Sequence, residues 1–168
     1  MSEQKHTFLN FIAALKLTKG ENVYIASDVK KLGLLAKSQS FFPDFNLFVD
    51  EIVSRIGKEG NLIIPGFTDT LKNGSAFYSA KTKPTIGALP SRVFRRKDFT
   101  RTLDPLHSVF VHGPLANKDF KCESTFGETS VFHTLLDDNF TQIFIDVDLQ
   151  NSFTFIHYAE EEYAVNYR

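Results

Sequence analysis

"VYIASDVKKLG" (Val23–Gly33) begins as a buried strand and ends as a turn. Its first five residues are rich in β-branched side chains, which is typical of a strand buried on both faces. A small hydroxyl residue, an acid and two lysines follow. Backbone N–H groups at such a turn can bind a phosphate or an amide, with Lys30 or Lys31 adding charge. The alternative is that Ser27 or Asp28 only caps the next turn. Neither GxGxxG nor GxxxxGK[ST] is present.

Strand and helix patterns alternate along the rest of the chain. Further strands are predicted in "NLIIPGF", "HSVFVHG" and "QIFIDVD". Helical spacing of apolar residues predicts helices in "HTFLNFIAALKL", "NLFVDEIVSRIG", "ALPSRVFRR", "SVFHTLLDD" and "SFTFIHYAEEEYA". This alternation predicts a single α/β domain over residues 1–168, with three α/β/α layers and a mostly parallel central sheet.

The predicted sheet also indicates where a ligand would bind. Ligands of such sheets lie beyond the carboxyl ends of the strands. We therefore expect Ser27, Phe67, Gly113 and Asp148, which follow the four strands, near one edge. Residues 68–85 are rich in Gly, Ser, Thr, Lys and Tyr and form a predicted long loop. Loops of this length within a domain are often binding elements.

Composition excludes several classes of function. The net charge of −1 and pI near 6.5 argue against general attraction to nucleic acid or to an anionic membrane. The single cysteine, Cys122, excludes an internal disulfide and fits a reducing compartment. No apolar run approaches the roughly 20 residues of a membrane span, and the polar N-terminus lacks the apolar region of a signal peptide. We expect a cytoplasmic soluble protein.

"RTLDPLHSVFVHG" (Arg101–Gly113) concentrates an arginine, an aspartate, a serine and two histidines. Ser108 beside His107 suggests a nucleophile, but the GxSxG pattern is absent. His107 and His112 are an odd number of residues apart, so on one strand they face opposite sides and cannot share a metal. A functional site and a strand-entry loop with polar caps remain equally open.

The last helical segment contains a candidate base. On one helix His157 lies one turn from both Thr154 and Glu160. A carboxylate at that spacing holds the imidazole in one tautomer and stabilises its protonated form, as a general base requires. Thr154 can donate to a developing oxyanion, and no HExxH metal pattern is present. The alternative is a surface histidine on a helix whose apolar stripe packs on the core: Phe153, Ile156, Ala159 and Tyr163.

Six motifs in this order resemble those of the aminoglycoside 3-N-acetyltransferase family. They are "ASDVKKLG", "GNLIIPGFT", "PTIGALPSRVFRR", "RTLDPLHSVFVHG", "SVFHTL" and "TFIHYAE". Members typically carry HSSLxxLG, GTLVMPTFT, PxxxGALPExFRR, RSxHPxxSxxxxG, SPFxxL and TxxHxxE. The resemblance covers nearly the whole chain from about Glu21. It implies acetyl transfer from acetyl-coenzyme A to an amine of an amino sugar or aminoglycoside, without a metal.

The resemblance also implies roles for particular residues. His157 would deprotonate the attacking amine, Glu160 would orient it, and Thr154 would line the site. The implied coenzyme A contacts are Ser27, Asp28, Val29, Lys30, Arg101 and Ser108. The partner is a small-molecule amine, attracted by the acidic residues near the site, and a homo-oligomer is left open.

The sequence departs from the family pattern at several positions. Asp104 stands where the family usually has a histidine, "HSS" is replaced by "ASD", and the glycine usual after the fourth strand is replaced near Asp146. These differences leave the acceptor open to another primary amine, such as an amino sugar of a surface polysaccharide. The family usually continues beyond the position where this chain ends, so we expect its C-terminal region to be lacking. The alternative function is a non-catalytic coenzyme A-binding or interaction domain, with a metal-dependent hydrolase third.

Overall fold

The computed structural model describes residues 6–38, 44–121 and 123–167. Cys122, on which the disulfide prediction rests, lies outside the described residues. Within these ranges no helix combines the length and the apolar composition needed to cross a bilayer.

Five strands form one sheet: β1 (Asn22–Ser27), β2 (Asn61–Pro65), β3 (Thr100–Arg101), β4 (Val109–His112) and β5 (Thr141–Ile145). Their order across the sheet is β3–β4–β2–β1–β5. β1 pairs in parallel with β2 and β5, whereas β4 is antiparallel to both β2 and β3. The predicted α/β architecture is confirmed, with a sheet that is mixed because β4 runs against the other four strands.

Helices cover both faces of the sheet, which gives the three predicted layers. One face carries α1 (His6–Ala14), α2 (Lys30–Ser38), α3 (Phe45–Ile56) and α4 (Ala88–Val93), and the other carries α5 (Val131–Asp137) and α7 (Ile156–Glu162). The short α6 (Leu149–Ser152) lies between β5 and α7 in the chain. α2 is the helix that the periodicity did not predict, because two lysines and a glycine interrupt its apolar pattern.

Side chains of β1 alternate between two hydrophobic cores, as the pleat of a strand requires. Val23 and Ile25 join the core that includes Phe48 of α3, while Tyr24 and Ala26 join the core of α5 and α7. Burial on both faces explains why this strand is apolar throughout.

α3 ends where its sequence pattern predicts, and it begins at a side-chain cap that was not predicted. The Asp44 side chain caps its first turn by accepting hydrogen bonds from the backbone N–H groups of Asn46 (2.9 Å) and Leu47 (3.4 Å). Gly57, at φ 67°, ends the helix in a backbone conformation that favours glycine. This helix fixes one wall of the core beneath the sheet.

The direction of β4 changes which loops meet at the carboxyl edge of the sheet. His112 pairs with Leu62 at the start of β2, so the prediction that Gly113 lies at the carboxyl edge is wrong. Val109 instead pairs with Pro65 at the end of β2. The loop that precedes β4, residues 102–108, therefore reaches the edge where β1, β2 and β5 end.

The predicted C-terminal helix is divided into α6 and α7. The chain leaves helical conformation around Thr154, whose carbonyl accepts a hydrogen bond from the His157 backbone N–H (3.1 Å). The predicted apolar stripe does not face the core, because Ile156 is 43% and Tyr163 is 80% exposed. Tyr158 is the buried residue of α7 instead. Aromatic packing of Tyr158 sets the orientation of this helix.

Candidate active site

Two cavities meet at Ser27, at the carboxyl end of β1. The larger, of about 560 Å³, is lined by Lys30 and Lys37 among others, and the smaller, of about 170 Å³, by Phe67 and Thr154 among others. Ser27 lines both. Its Oγ is buried and has no hydrogen-bond partner among the described residues. A buried hydroxyl without a partner is costly, so this junction has the chemistry of a ligand site.

The turn after β1 shapes the larger cavity. The Asp28 N–H donates to the Ile145 carbonyl (2.9 Å), which ties the turn to the end of β5. The Asp28 carboxylate in turn accepts from the Lys30 N–H (3.0 Å) at the start of α2. Val29 is buried at 1% exposure, which anchors the turn in the core. The structure thus brings the predicted cofactor residues Ser27–Lys30 together around one cavity.

Lys37 also lines this cavity and was not predicted. It lies seven residues after Lys30, two turns along the same face of α2. That spacing is visible in the sequence, but it carries meaning only once residues 30–38 are known to form a helix. The two lysines place positive charge along one wall.

Arg101 and Ser108, the other two residues implied for coenzyme A, line neither of these cavities. The Ser108 Oγ donates to the carbonyl of Gly66 (2.8 Å). Arg101 Nη2 donates to that same carbonyl (2.5 Å), and Arg101 Nε to the Ser108 hydroxyl (3.1 Å). Both side chains therefore bind the protein's own backbone just beyond β2.

His157 and Glu160 form the pair that their spacing predicts. His157 Nδ1 lies 2.7 Å from a Glu160 carboxylate oxygen. The His157 side chain is 44% exposed, whereas the Glu160 side chain is 16% exposed. The imidazole is therefore accessible to solvent while its carboxylate partner is mostly buried. When Nδ1–H donates to Glu160, Nε2 is the basic nitrogen of the neutral ring. The geometry suits proton transfer at Nε2.

Phe126 lies between His157 and a second histidine. Its ring centroid is 5.6 Å from that of His157 and 5.4 Å from that of His107. Thr125 donates to Asp104 (2.6 Å), and Ser124 donates to Glu161 of α7 (2.9 Å). Residues 124–126 thus connect the loop before β4 to the helix that carries His157.

Asp104, which stands where the resembled family usually has a histidine, organises that loop. Its carboxylate accepts from the backbone N–H groups of Leu106 (2.8 Å) and His107 (2.6 Å). His107 packs against Phe67 with a centroid distance of 4.9 Å, and its Nδ1 is buried without a partner among the described residues. Burial lowers the pKa of His107, although Asp104 opposes this shift. No three His, Cys, Asp or Glu residues in residues 6–38, 44–121 and 123–167 are grouped to hold a metal.

The sequence matches the family model described as aminoglycoside 3-N-acetyltransferase over residues 26–168. The chain belongs to the aminoglycoside 3-N-acetyltransferase family. Among curated proteins none matches the sequence. The match begins at the end of β1 and includes the turn, the lining of the larger cavity, most of the lining of the smaller one, and α7.

Several solved structures share the fold. The YokD protein from Bacillus subtilis has a TM-score of 0.76 at 19% identity. The match covers 94% of this chain and 70% of the YokD chain. AAC-IIIb, described as a binary complex with CoASH, has a TM-score of 0.76 at 16% identity. The match covers 95% of this chain and 65% of the AAC-IIIb chain. Sisomicin-bound AAC-VIa has a TM-score of 0.74 at 18% identity. The match covers 95% of this chain and 64% of the AAC-VIa chain. The chain thus spans about two thirds of the length of these structures.

Proposed function

We propose that this chain binds acetyl-coenzyme A and transfers its acetyl group to an amine of an amino sugar or aminoglycoside. The observation that carries the proposal is the junction at Ser27, where a buried, unpartnered hydroxyl lies between two cavities. Family membership supports the reaction class. The CoASH complex of AAC-IIIb and the sisomicin complex of AAC-VIa, both of the same fold, support the two substrates.

The two cavities differ in a way that suits the two ends of the cofactor. Lys30 and Lys37 line the larger cavity, so the phosphates are best placed there. The Ser27 hydroxyl at the junction matches an amide of the pantetheine arm. The smaller cavity, with Thr154 and Phe67, has room for the end of that arm. This arrangement directs the thioester toward α7.

His157 supplies the proton transfer that the reaction needs. A protonated amine is not a nucleophile, so a base must first remove a proton, and His157 Nε2 accepts it. Glu160 stabilises the resulting imidazolium through Nδ1. The amine nitrogen then attacks the thioester carbon, and Thr154 donates to the oxyanion. The C–S bond breaks, the sulfur leaves with the proton from His157, the nitrogen releases its second proton to solvent, and an amide and coenzyme A result.

The acceptor is expected to be cationic. Glu161 and Glu162 continue α7 beyond His157, and Asp146 and Asp148 follow β5. Asp146 is paired with Lys31 at 2.5 Å, so the glutamates contribute most of the uncompensated charge. An amino sugar with several ammonium groups fits this surface.

Calorimetry with coenzyme A, followed by acetylation of a panel of amino sugars and aminoglycosides, tests the proposal. We expect His157→Gln to lower kcat by about 10²–10⁴-fold while coenzyme A affinity stays unchanged. Glu160→Gln should give a smaller loss. His112→Gln is the matched control, since His112 lies at the opposite edge of the sheet. Equal activities of the His157→Gln and His112→Gln variants would refute the role of His157 as the general base.

A non-catalytic coenzyme A-binding domain is the second candidate. The observation in its favour is that His157 and Glu160 line neither of the two cavities. Coenzyme A binding without turnover on any amine of the panel would support this candidate over the enzyme.

A further inference from the structure

Arg101 is a half-buried cation whose hydrogen bonds all go to neutral groups. No carboxylate within the described residues lies at ion-pair distance from it. Beyond Ser108 and Gly66, its Nη1 donates to the carbonyls of Ser79 (3.3 Å) and Thr82. Burial lowers its pKa to about 10, so it is still charged at neutral pH. The guanidinium is therefore committed to carbonyl groups of residues 66–82.

Three phenylalanine rings enclose the same guanidinium. Its carbon lies 5.0 Å from the ring centroids of Phe77 and Phe110 and 5.6 Å from that of Phe94. These distances are those of cation–π contacts. Phe77 belongs to the loop formed by residues 66–87, Phe94 follows α4 and Phe110 lies in β4. Arg101 thus connects three separate parts of the chain.

The segment that Arg101 binds, residues 66–87, forms walls of both cavities. It contains neither helix nor strand. The Thr85 N–H donates to the Phe67 carbonyl (3.0 Å), which brings the two ends of the segment together. Phe67 and Ile86 line the smaller cavity, and Gly87 lines the larger. Any change in the path of this loop changes the shape of the site.

We propose that Arg101, assisted by Ser108, is a positioning residue that shapes the cofactor site by holding loop 66–87, without contacting the cofactor. The inference rests on the proposed function. Arginine is required because only its planar fork offers donors to three carbonyls and a hydroxyl at once. A lysine keeps the charge but cannot satisfy these acceptors.

The test compares coenzyme A with pantetheine, which lacks the phosphates. We measure the affinity of Arg101→Met and Arg101→Lys for both ligands by calorimetry, and deuterium exchange over residues 66–87. Both variants should lose the same factor for the two ligands, about tenfold or more, as expected when carbonyl partners are lost. Exchange should rise across the loop. Arg92→Met, an exposed arginine on α4, is the matched control and should change neither.

A direct phosphate contact gives a different result. Coenzyme A affinity would then fall while pantetheine affinity and loop exchange stay at the wild-type level, and this would overturn the proposal. If the wild type binds neither ligand, the proposed function fails, but exchange over residues 66–87 still decides the role of Arg101. Should Arg101→Met not fold, Ser108→Ala takes its place in the same comparison, because Ser108 binds the same Gly66 carbonyl.

Discussion

At the scale of single residues, the role of each histidine near the site depends on the groups that surround its ring. His157 and His107 flank one phenylalanine ring. His157 has a carboxylate at Nδ1 and an exposed edge, whereas His107 is surrounded by Phe67, Phe126 and Phe132. The first is suited to exchanging protons. The second is a packing residue whose neutral form the fold favours.

His107 makes stability depend on pH. Its pKa is lowered in the folded state, so between pH 6.5 and that lower value only the unfolded chain binds the proton. The free energy of unfolding should therefore fall as pH falls below about 6.5 and level off below the folded pKa. Denaturant unfolding from pH 7.5 to 4.5 measures this. His107→Gln should remove this part of the pH dependence and His112→Gln should retain it; parallel curves for wild type and His107→Gln would contradict the assignment.

Replacing Ser27 should affect the stability of the free protein and the binding of coenzyme A differently. Because its Oγ is buried without a partner, Ser27→Ala should leave the melting temperature of the free protein equal or higher. The same change should reduce the stabilisation by coenzyme A. Thermal unfolding with and without ligand measures both effects, and Ser54→Ala, an exposed serine on α3, serves as control. A lowered melting temperature of the free variant with an unchanged ligand effect would assign Ser27 to the fold alone.

At the scale of elements, α7 is positioned by a single buried side chain. A helix of seven residues is not stable alone. Tyr158 lies in the core of α5 and α7 at 4% exposure, and its hydroxyl is 2.8 Å from His133 Nδ1 on α5. Asp137 lies 2.9 Å from the other ring nitrogen. A neutral His133 that donates to Asp137 accepts from Tyr158, so α5 fixes the residue next to His157.

Removing the Tyr158 hydroxyl should therefore loosen α7. Tyr158→Phe leaves the His133 nitrogen without its donor, which we expect to cost about 1–2 kcal/mol in the free energy of unfolding. Urea denaturation measures this loss, and deuterium exchange should show faster opening over residues 156–162. Tyr163→Phe is the control, since Tyr163 is 80% exposed. Equal stability of the two variants would exclude the Tyr158 anchor.

At the scale of the whole molecule, the mixed sheet gathers distant segments at one edge. β1 and β5 deliver Ser27 and the start of α6, while antiparallel β4 delivers the Asp104–His107 loop. Arg101 then attaches loop 66–87 to this edge. A ligand in the two cavities would thus contact β1 and α2, loop 66–87 and the segment that follows β5.

Coenzyme A should accordingly stabilise the fold as a unit. At a free concentration one hundred times its dissociation constant the expected gain is about 2.7 kcal/mol, or roughly 5–11 °C in melting temperature for a chain of this size. Differential scanning calorimetry should show one transition that moves upward with ligand concentration. A transition that stays in place at saturation would show that the cavities do not bind coenzyme A.

Local patterns predicted much of this architecture. The strand at Val23–Ser27 follows from its run of apolar and β-branched residues, and the helix that ends at Gly57 follows from the helical spacing of its apolar residues. The pairing of His157 with Glu160 follows from helical spacing. α2 was missed because its apolar pattern is weak, and the last helix was predicted too long because residues 153–155 are not helical and α7 begins only at Ile156.

The sequence by itself determined the α/β class, the order of the motifs and the membership of the family, because periodicity and short motifs depend on neighbours along the chain. Only the tertiary structure decided the direction of β4, the unpartnered hydroxyl of Ser27 and the contacts of Arg101. Strand direction, burial and cavity shape arise from contacts between residues far apart in sequence. No local pattern records those contacts.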